Sequence, residues 1–410
     1  MRNLEKSVPV IRFKGFSEAW EQRKLGEESD VRDGTHDSPK YVNTGHPLVT
    51  SKNLKDFGLD FSGVSFISDE DFESINKRSK VDVGDILFGM IGTIGTPVQL
   101  IRKDFAIKNV ALIKEKKNIL NRFLIHLLKS AVFDRYIENE NTGGTQKFLS
   151  LSKIRNFCFL SPKLEEQDQI SLFFKQLDNA ITLHQRKLDA LKLMKKGFLQ
   201  RMFPNNEEEI PKVRFADFDG MWKQRKLNSI TEKITRKNKE LESTLPLTIS
   251  AQDGLIDQNE YFNKIIASRN IRGYFLVKNG EFAYNKSYSK GYPWGVVKRL
   301  DNYNMGVLST LYIIFKPVKI NSDFLTKYFD STYWYRAVSQ FATEGARNHG
   351  LLNIAASDFF EIELNIPLNN EEQKKIGLFF QQLENIIILH QNKLEKLSIL
   401  KKTYLKKMFI

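Results

Sequence analysis

The side chains best suited to chemistry in this chain are ones that grip and read, set in polar, glycine-rich loops. Arg32, Thr35 and His36 lie in RDGTHDSP, Ser51, Lys52 and Asn53 in TSKN, and Thr145, Gln146 and Lys147 in TGGTQK. A second group follows later: Lys286, Ser287, Tyr288 and Lys290 in NKSYSKGYPWG, then Arg347, Asn348 and His349 in EGARNHG, with SAQDG at 250–254 a loop of the same kind. Arg and Lys can hold phosphates or guanine edges, Asn and Gln adenine, and Thr or Tyr phosphates and thymine methyls. Ordinary solvent-facing turns share this composition, so each loop also has a plain structural reading. Signatures of catalysis are missing. There is no GxxxxGK[ST], HExxH, GxSxG or Asn/Asp-Pro-Pro-aromatic motif, GMIGTIG at 89–95 has the wrong spacing for GxGxxG, and the six histidines are scattered singly. Asp104 followed by Glu115-Lys116-Lys117 has a nuclease-like look, but such a set is expected by chance in a lysine-rich chain. The motifs point to recognition or assembly, with no catalytic residue and no metal site.

Two long helices are the elements that must position these loops. Residues 165–203 return at 371–409 without a gap, 22 of 39 positions being identical, and VPVIRFKGFSEAWEQRKL at 8–25 returns as IPKVRFADFDGMWKQRKL at 210–227. One unit of about 200 residues is therefore used twice, too few copies for a solenoid. In the first 39-mer, Phe174, Leu177, Ile181, His184, Leu188 and Leu191 alternate steps of three and four; Phe380, Leu383, Ile387, His390, Leu394 and Leu397 repeat the register. Each helix opens on Glu-Glu and closes on lysines, as the helix dipole favours, and would be roughly 58 Å long. Two matched seams on one chain favour antiparallel pairing within it over homodimerisation. That register sets His184 against Leu394, His390 against Leu188, Lys195 against Leu383 and Lys401 against Leu177, and the lysines are expected to snorkel at the rim.

Between the helices, DILFGMIG (85–92), EFAYNKSY (281–288) and GVLSTLYIIF (306–315) read as strands. The stretches 121–137 and 322–341 read as helices. The two interiors barely align, which suggests similar frames holding different reading surfaces. The expected fold is α+β (mixed α/β): two pseudo-repeated globular domains, 1–160 and 205–366, separated by two long antiparallel helices, 161–204 and 367–410, forming an intramolecular coiled coil.

The net charge is +14 with a pI near 9.4, spread over every segment, as a protein touching a polyanion along an extended track would show. A lysine-rich genome composition would give the same sign. Hydrophobic content of 41% and a mean hydropathy of −0.39 suit a soluble globular chain with no membrane role. No apolar run approaches the ~18 residues of a membrane span. The first residues lack an apolar signal region, and the lone Cys158 fits a reducing cytoplasm.

This layout resembles the specificity subunit of type I restriction–modification systems over the whole chain. The likeness rests on Phe13, Trp20, Leu25, Glu166-Gln167, His184-Gln185 and Leu188, with Phe215, Trp222, Leu227, Glu372-Gln373, His390-Gln391 and Leu394 in the second copy. TGGTQKFLSLSKI at 142–154 is similar to the family's loop before the last strand of a target-recognition domain; TEGARNHGLLNI in the second copy departs from it. The resemblance implies that each globular domain reads one half of a bipartite, asymmetric site in double-stranded DNA. It implies that the helices set the unread gap and dock two methyltransferase (modification) subunits, with restriction/translocase subunits joining the complex. S-adenosylmethionine, ATP and magnesium would then bind those partners, none on this chain. A coiled-coil scaffold that binds only proteins is the alternative from another class.

Overall fold

The structure is a computed structural model and describes residues 8–410 except 57, 92–93, 117, 141–147, 206–207, 266, 268–269, 288–290, 342–351 and 353. The chain forms two compact units, Met1–Gln185 with Asn392–Ile410, and Arg186–Gln391. In the first, Glu21–Lys24 pairs antiparallel with Cys158–Ser161, a ribbon that delivers the chain into the central long helix. Ser29–Asp33 then opens an antiparallel sheet in the order Ser29–Asp33, Val110–Glu115, Ile86–Gly89, Gly95–Gln99. A second sheet orders Ala106–Ile107, His46–Val49, Ser65–Ile67 and Tyr41–Val42, its first pair parallel.

The second unit repeats the frame. Lys223–Lys226 pairs with Glu363–Ile366, and an antiparallel sheet runs Thr231–Ile234, Ile313–Pro317, Phe282–Asn285, Val296–Arg299. Both four-stranded sheets place their strands in the same chain order: first, last, second, third. The interiors that barely align in sequence thus build one architecture. A buried strand needs an apolar run of the right length rather than particular residues: Ile86, Leu87 and Phe88 are fully buried, as are Phe282, Ala283 and Tyr284 in the matching place.

Three expected elements divide. GVLSTLYIIF is two strands, Met305–Leu308 and Ile313–Pro317, which join different sheets. The stretch 121–137 contains the helix Asn121–Leu127 and most of Ala131–Glu140, and 322–341 contains Ser322–Asp330 and Trp334–Ser339. One device makes both breaks. The Ser130 hydroxyl donates to the Leu127 carbonyl (2.7 Å) and accepts from the Val132 amide (3.3 Å). Ser331 does the same with Tyr328 (2.6 Å) and Tyr333 (3.4 Å). A buried serine satisfies the backbone groups that the interrupted helix leaves orphaned.

The long helices are Leu164–Arg201 and Asn370–Lys407, 38 residues each. They meet antiparallel in each unit. In the first, the rings of Phe173 and Tyr404 lie 4.9 Å apart and Lys401 pairs with Asp178 at 2.5 Å. In the second, Phe198 and Phe379 lie 5.0 Å apart and Lys195 pairs with Glu384 at 2.6 Å. Phe174, Leu177, Ile181 and Leu188 are buried, as are Phe380, Leu383 and Ile387; His184, Leu191, His390, Leu394 and Leu397 are half-buried. The lysines do not snorkel. Each reaches an acid one residue beyond the leucine it was expected to face, so the seam carries an ion pair in each unit.

Helix ends close the cores. Phe409 packs on Trp20 (6.4 Å), Phe123 (5.6 Å) and Phe174 (5.9 Å) in the first unit; Phe203 packs on Trp222 (6.2 Å), Phe324 (5.7 Å) and Phe380 (6.1 Å) in the second. The Ile11 amide donates to the Lys407 carbonyl at 3.1 Å, and Val213 likewise to Arg201 at 2.9 Å. The twice-used Glu-Gln pair is a joint. Glu166 takes Arg12 in a bidentate bond (both 2.7 Å) and Gln167 accepts from the Leu120 amide (3.0 Å). Glu372 takes Arg214 (2.6 and 2.7 Å) and Gln373 accepts from Asn321 (2.7 Å). Each pair binds the leading segment and the helix after the sheet to the long helix.

Candidate nucleic-acid interface

In the first unit, backbone bonds gather the predicted loops. The Gly34 amide donates to the Val110 carbonyl (3.0 Å), Thr35 to Ile107 (3.0 Å) and Asn109 to Thr35 (3.1 Å). A side chain at position 34 would place its Cβ 2.4 Å from the Ile107 carbonyl oxygen, so only glycine allows this crossing. Lys108 donates to the Val49 carbonyl at 2.9 Å, which brings TSKN alongside. The Ser51 hydroxyl donates to the Ile91 carbonyl (3.3 Å), Ile91 bridges Phe148, and the Leu149 amide donates to Met90 (3.0 Å). The segments around 32–39, 50–53, 90–91, 107–110 and 148–149 therefore form one patch.

Within it the predicted residues take different parts. Lys52 is exposed and, among the described residues, its ammonium holds no partner. Asn53 is buried: its amide accepts from the Thr50 backbone (2.9 Å) and hydroxyl (3.1 Å) and donates to the Asp60 carbonyl (2.9 Å). It shapes the loop and has no edge left for a base. Arg32 is bound by Asp30 (2.7 Å) and the Arg78 carbonyl (3.0 Å). The Thr35 hydroxyl accepts from the Asp37 amide (3.2 Å). His36, half exposed, bridges Asp33 (2.9 Å) and Asn109 (2.7 Å), and these two bonds raise its pKa above the ordinary histidine value. Arg78 grips Asp33 from the neighbouring helix. Asn109 and Arg78 are the residues that sequence reasoning missed; for Asn109 the signal was an Asn between two apolar runs, a residue type that tolerates a left-handed turn.

The second unit anchors its loops the same way. The Leu352 amide donates to the Lys286 carbonyl at 2.9 Å, the counterpart of Leu149 and Met90. The Lys286 ammonium is spent on the Ile354 carbonyl (3.1 Å), and the Ser287 amide donates to the Asn285 side chain (3.0 Å). Thr145, Gln146, Lys147, Tyr288, Lys290, Arg347, Asn348 and His349 lie outside the described residues. A groove of about 970 Å³ in this unit is lined by Lys192, Lys195, Lys196, Lys298, Arg299 and Lys327. Lys195, Lys298, Arg299 and Lys327 are ion-paired; Lys192 and Lys196 hold no acid among the described residues.

The nuclease-like acids are engaged elsewhere. Asp104 holds Arg102, and Glu115 accepts from the Asn121 amide at 2.6 Å. Among the described residues no three His, Cys, Asp or Glu side chains could hold a metal ion, and no helix is long and apolar enough to cross a membrane.

Residues 17–193 match the type I restriction modification DNA specificity domain. The chain is 26% identical over 197 residues to the putative type I restriction enzyme MjaX specificity subunit of Methanocaldococcus jannaschii, covering 45% of this chain and 46% of that one. It thus spans about half the length of that relative. The MjaVIII specificity subunit of the same organism is 22% identical over 348 residues, with 80% and 78% covered. In fold, the chain is similar to the crystal structure of a type I restriction–modification S subunit from M. genitalium, with a TM-score of 0.60 at 15% identity, covering 98% of this chain and 99% of that one. With its duplicated frame, its twice-used Glu-Gln joint and its paired helices, the chain is similar to type I restriction–modification specificity subunits, whose DNA specificity domain its residues 17–193 match.

Proposed function

We propose that each unit reads one half of a bipartite, asymmetric DNA site, with target-recognition domains at 1–160 and 205–366 and spacer helices at 161–204 and 367–410. The observation that carries this is a contrast within the repeat. The joints that hold the frame are copied nearly verbatim, while the loops anchored at equivalent backbone bonds (148–149 and 352–354) share little sequence. A frame under one constraint and loops under two is what reading two different half-sites requires. Lys52, Thr35, His36 and the basic loops would contact phosphates and base edges, with Asn53 and Lys286 holding loop shape.

The helices support a docking role. Leu172, Leu183 and Leu400 are exposed in the first unit, and Leu378, Leu389 and Met194, one repeat away, in the second. Leu172 and Leu183 are 11 residues apart, as are Leu378 and Leu389, which keeps each pair on one helical face. Each unit so carries the same apolar set, as binding two identical methyltransferase subunits would need. S-adenosylmethionine, ATP and magnesium then belong to the methyltransferase and restriction/translocase partners, and this chain does no chemistry of its own. Mapping methylated adenines in cells that carry the chain with its methyltransferase tests the reading. The expected result is two short, unlike words separated by a fixed gap; a continuous palindrome or no motif overturns it. The protein-only scaffold predicts no salt-dependent DNA affinity, which a filter-binding titration measures.

A further inference from the structure

Asn109 stands at the centre of the first unit's patch with one side of its amide engaged. Its backbone is left-handed (φ 56°), a conformation Asn tolerates better than most residues, and the turn is fixed by its amide bond to Thr35. Its side chain meets His36 Nδ1 at 2.7 Å; among the described residues the other end of the amide has no protein partner and is not buried. His36 is held from the other side by Asp33 at 2.9 Å, and Asp33 is gripped by Arg78. Lys108, the remaining cation beside the turn, is turned onto the Ser38 hydroxyl (3.3 Å).

Hydrogen-bond bookkeeping couples these groups. A carboxylate only accepts, so His36 Nε2 must carry a hydrogen toward Asp33. When the ring is an imidazolium, Nδ1 also donates, Asn109 presents its oxygen to the ring, and its NH₂ faces outward. When the ring is neutral, Nδ1 accepts, the amide turns over, and its oxygen faces outward. We propose that Asn109 is a specificity-determining residue of the first half-site, and that the charge of His36 sets whether it offers DNA a donor or an acceptor. This inference rests on the DNA-reading function proposed above. An outward NH₂ suits guanine O6 and N7 or thymine O4; an outward oxygen suits the amino groups of cytosine or adenine. His36 is neutral at high pH, so the preferred base should move from guanine or thymine to cytosine or adenine as pH rises. Asp33 and Asn109 favour the charged ring and Arg78 opposes it, so the change falls above the ordinary histidine range.

The test is selection from a randomised duplex library by the full chain with its methyltransferase, at pH 6 and pH 9. The proteins compared are the natural one, Asn109→Gly, which the left-handed backbone accepts without strain, and His36→Gln, which cannot charge. The expected result is that Asn109→Gly loses base preference at one position of one word by about tenfold, and leaves the other word intact. The natural protein should change its base at that same position with pH, while His36→Gln keeps one base at both. If the natural protein selects two words and Asn109→Gly selects the same two unaltered, the inference is overturned while DNA reading stands. If Asn109→Gly loses one position but pH does not move it, the switch is overturned. If the natural protein selects nothing, the DNA-reading function itself falls, and this inference with it.

Discussion

Single residues at matching places in the two frames have diverged in chemistry, and the energetics diverge with them. His126, in the helix after the first sheet, is buried against Phe174 with ring centroids 4.8 Å apart, and its Nδ1 has no hydrogen-bond partner among the described residues. Burial, with Lys401 and Lys129 adding repulsion, lowers its pKa to about 3. The matching place in the second unit holds Lys327, whose ammonium is bound by Glu384 at 2.6 and 2.7 Å. A histidine whose folded pKa lies below its unfolded one contributes its full stability above pH ~6.5 and loses it as pH falls toward 3, by up to about 1.4 kcal/mol per pH unit. His126→Phe should therefore flatten the pH dependence of unfolding between pH 6.5 and 4. Urea midpoints across that range measure it; an unchanged slope would show that the ring takes up its proton without cost. The sequence hides this equivalence, because His126 and Lys327 share a place in the frame and not a residue type. It shows Trp20 and Trp222 plainly, because a large core ring tolerates few substitutes.

At the scale of elements, the helix pair was legible as a seam and illegible as an ion-pair carrier. Periodicity reports which face of a helix is covered, and Phe174 to Leu188 obey it. It does not report that a lysine on that face has an acid one residue off its expected partner on the facing helix. Glu384 serves Lys195, 27% exposed, and Lys327, 9% exposed. Losing the more exposed partner should cost little, and leaving the buried ammonium without its carboxylate should cost more. Lys195→Met is expected to lower stability by under about 1 kcal/mol, and Glu384→Gln by about 1–3 kcal/mol. Chemical denaturation of both variants decides; equal losses would mean that Asp330, 3.4 Å from the same ammonium, alone satisfies Lys327. The helix breaks at Ser130 and Ser331 were invisible for a related reason. The apolar period runs through them, and only the serine's bonds to the turn behind it and the turn ahead stop the helix.

For the molecule as a whole, the duplicated frame was readable from identity in the long helices and leading segments, whereas the shared strand order was not, since sheets conserve burial and length rather than letters. The patch was readable as loop composition, but which members face outward depends on backbone crossings such as Gly34 over Ile107. If the helices set the gap, lengthening both equally should change spacing alone. Four residues inserted after Gln185 and four after Gln391 add one turn, about 6 Å, or roughly two base pairs of duplex at about 3.4 Å each. The methylated motif should keep both words and widen its gap by that amount. Altered words would show that the helices read bases.

The backbone bond between Ile11 and Lys407 has its twin in the bond between Val213 and Arg201. In the second case residues 202–212 connect the bonded segments directly; in the first, the bonded segments are joined only the long way round. The two places are alike, and one of them is held by its hydrogen bond without a short covalent link. A chain opened between residues 204 and 210 and joined by a short linker from Ile410 to Val8 would keep every contact described above, with the two units translated in reverse order.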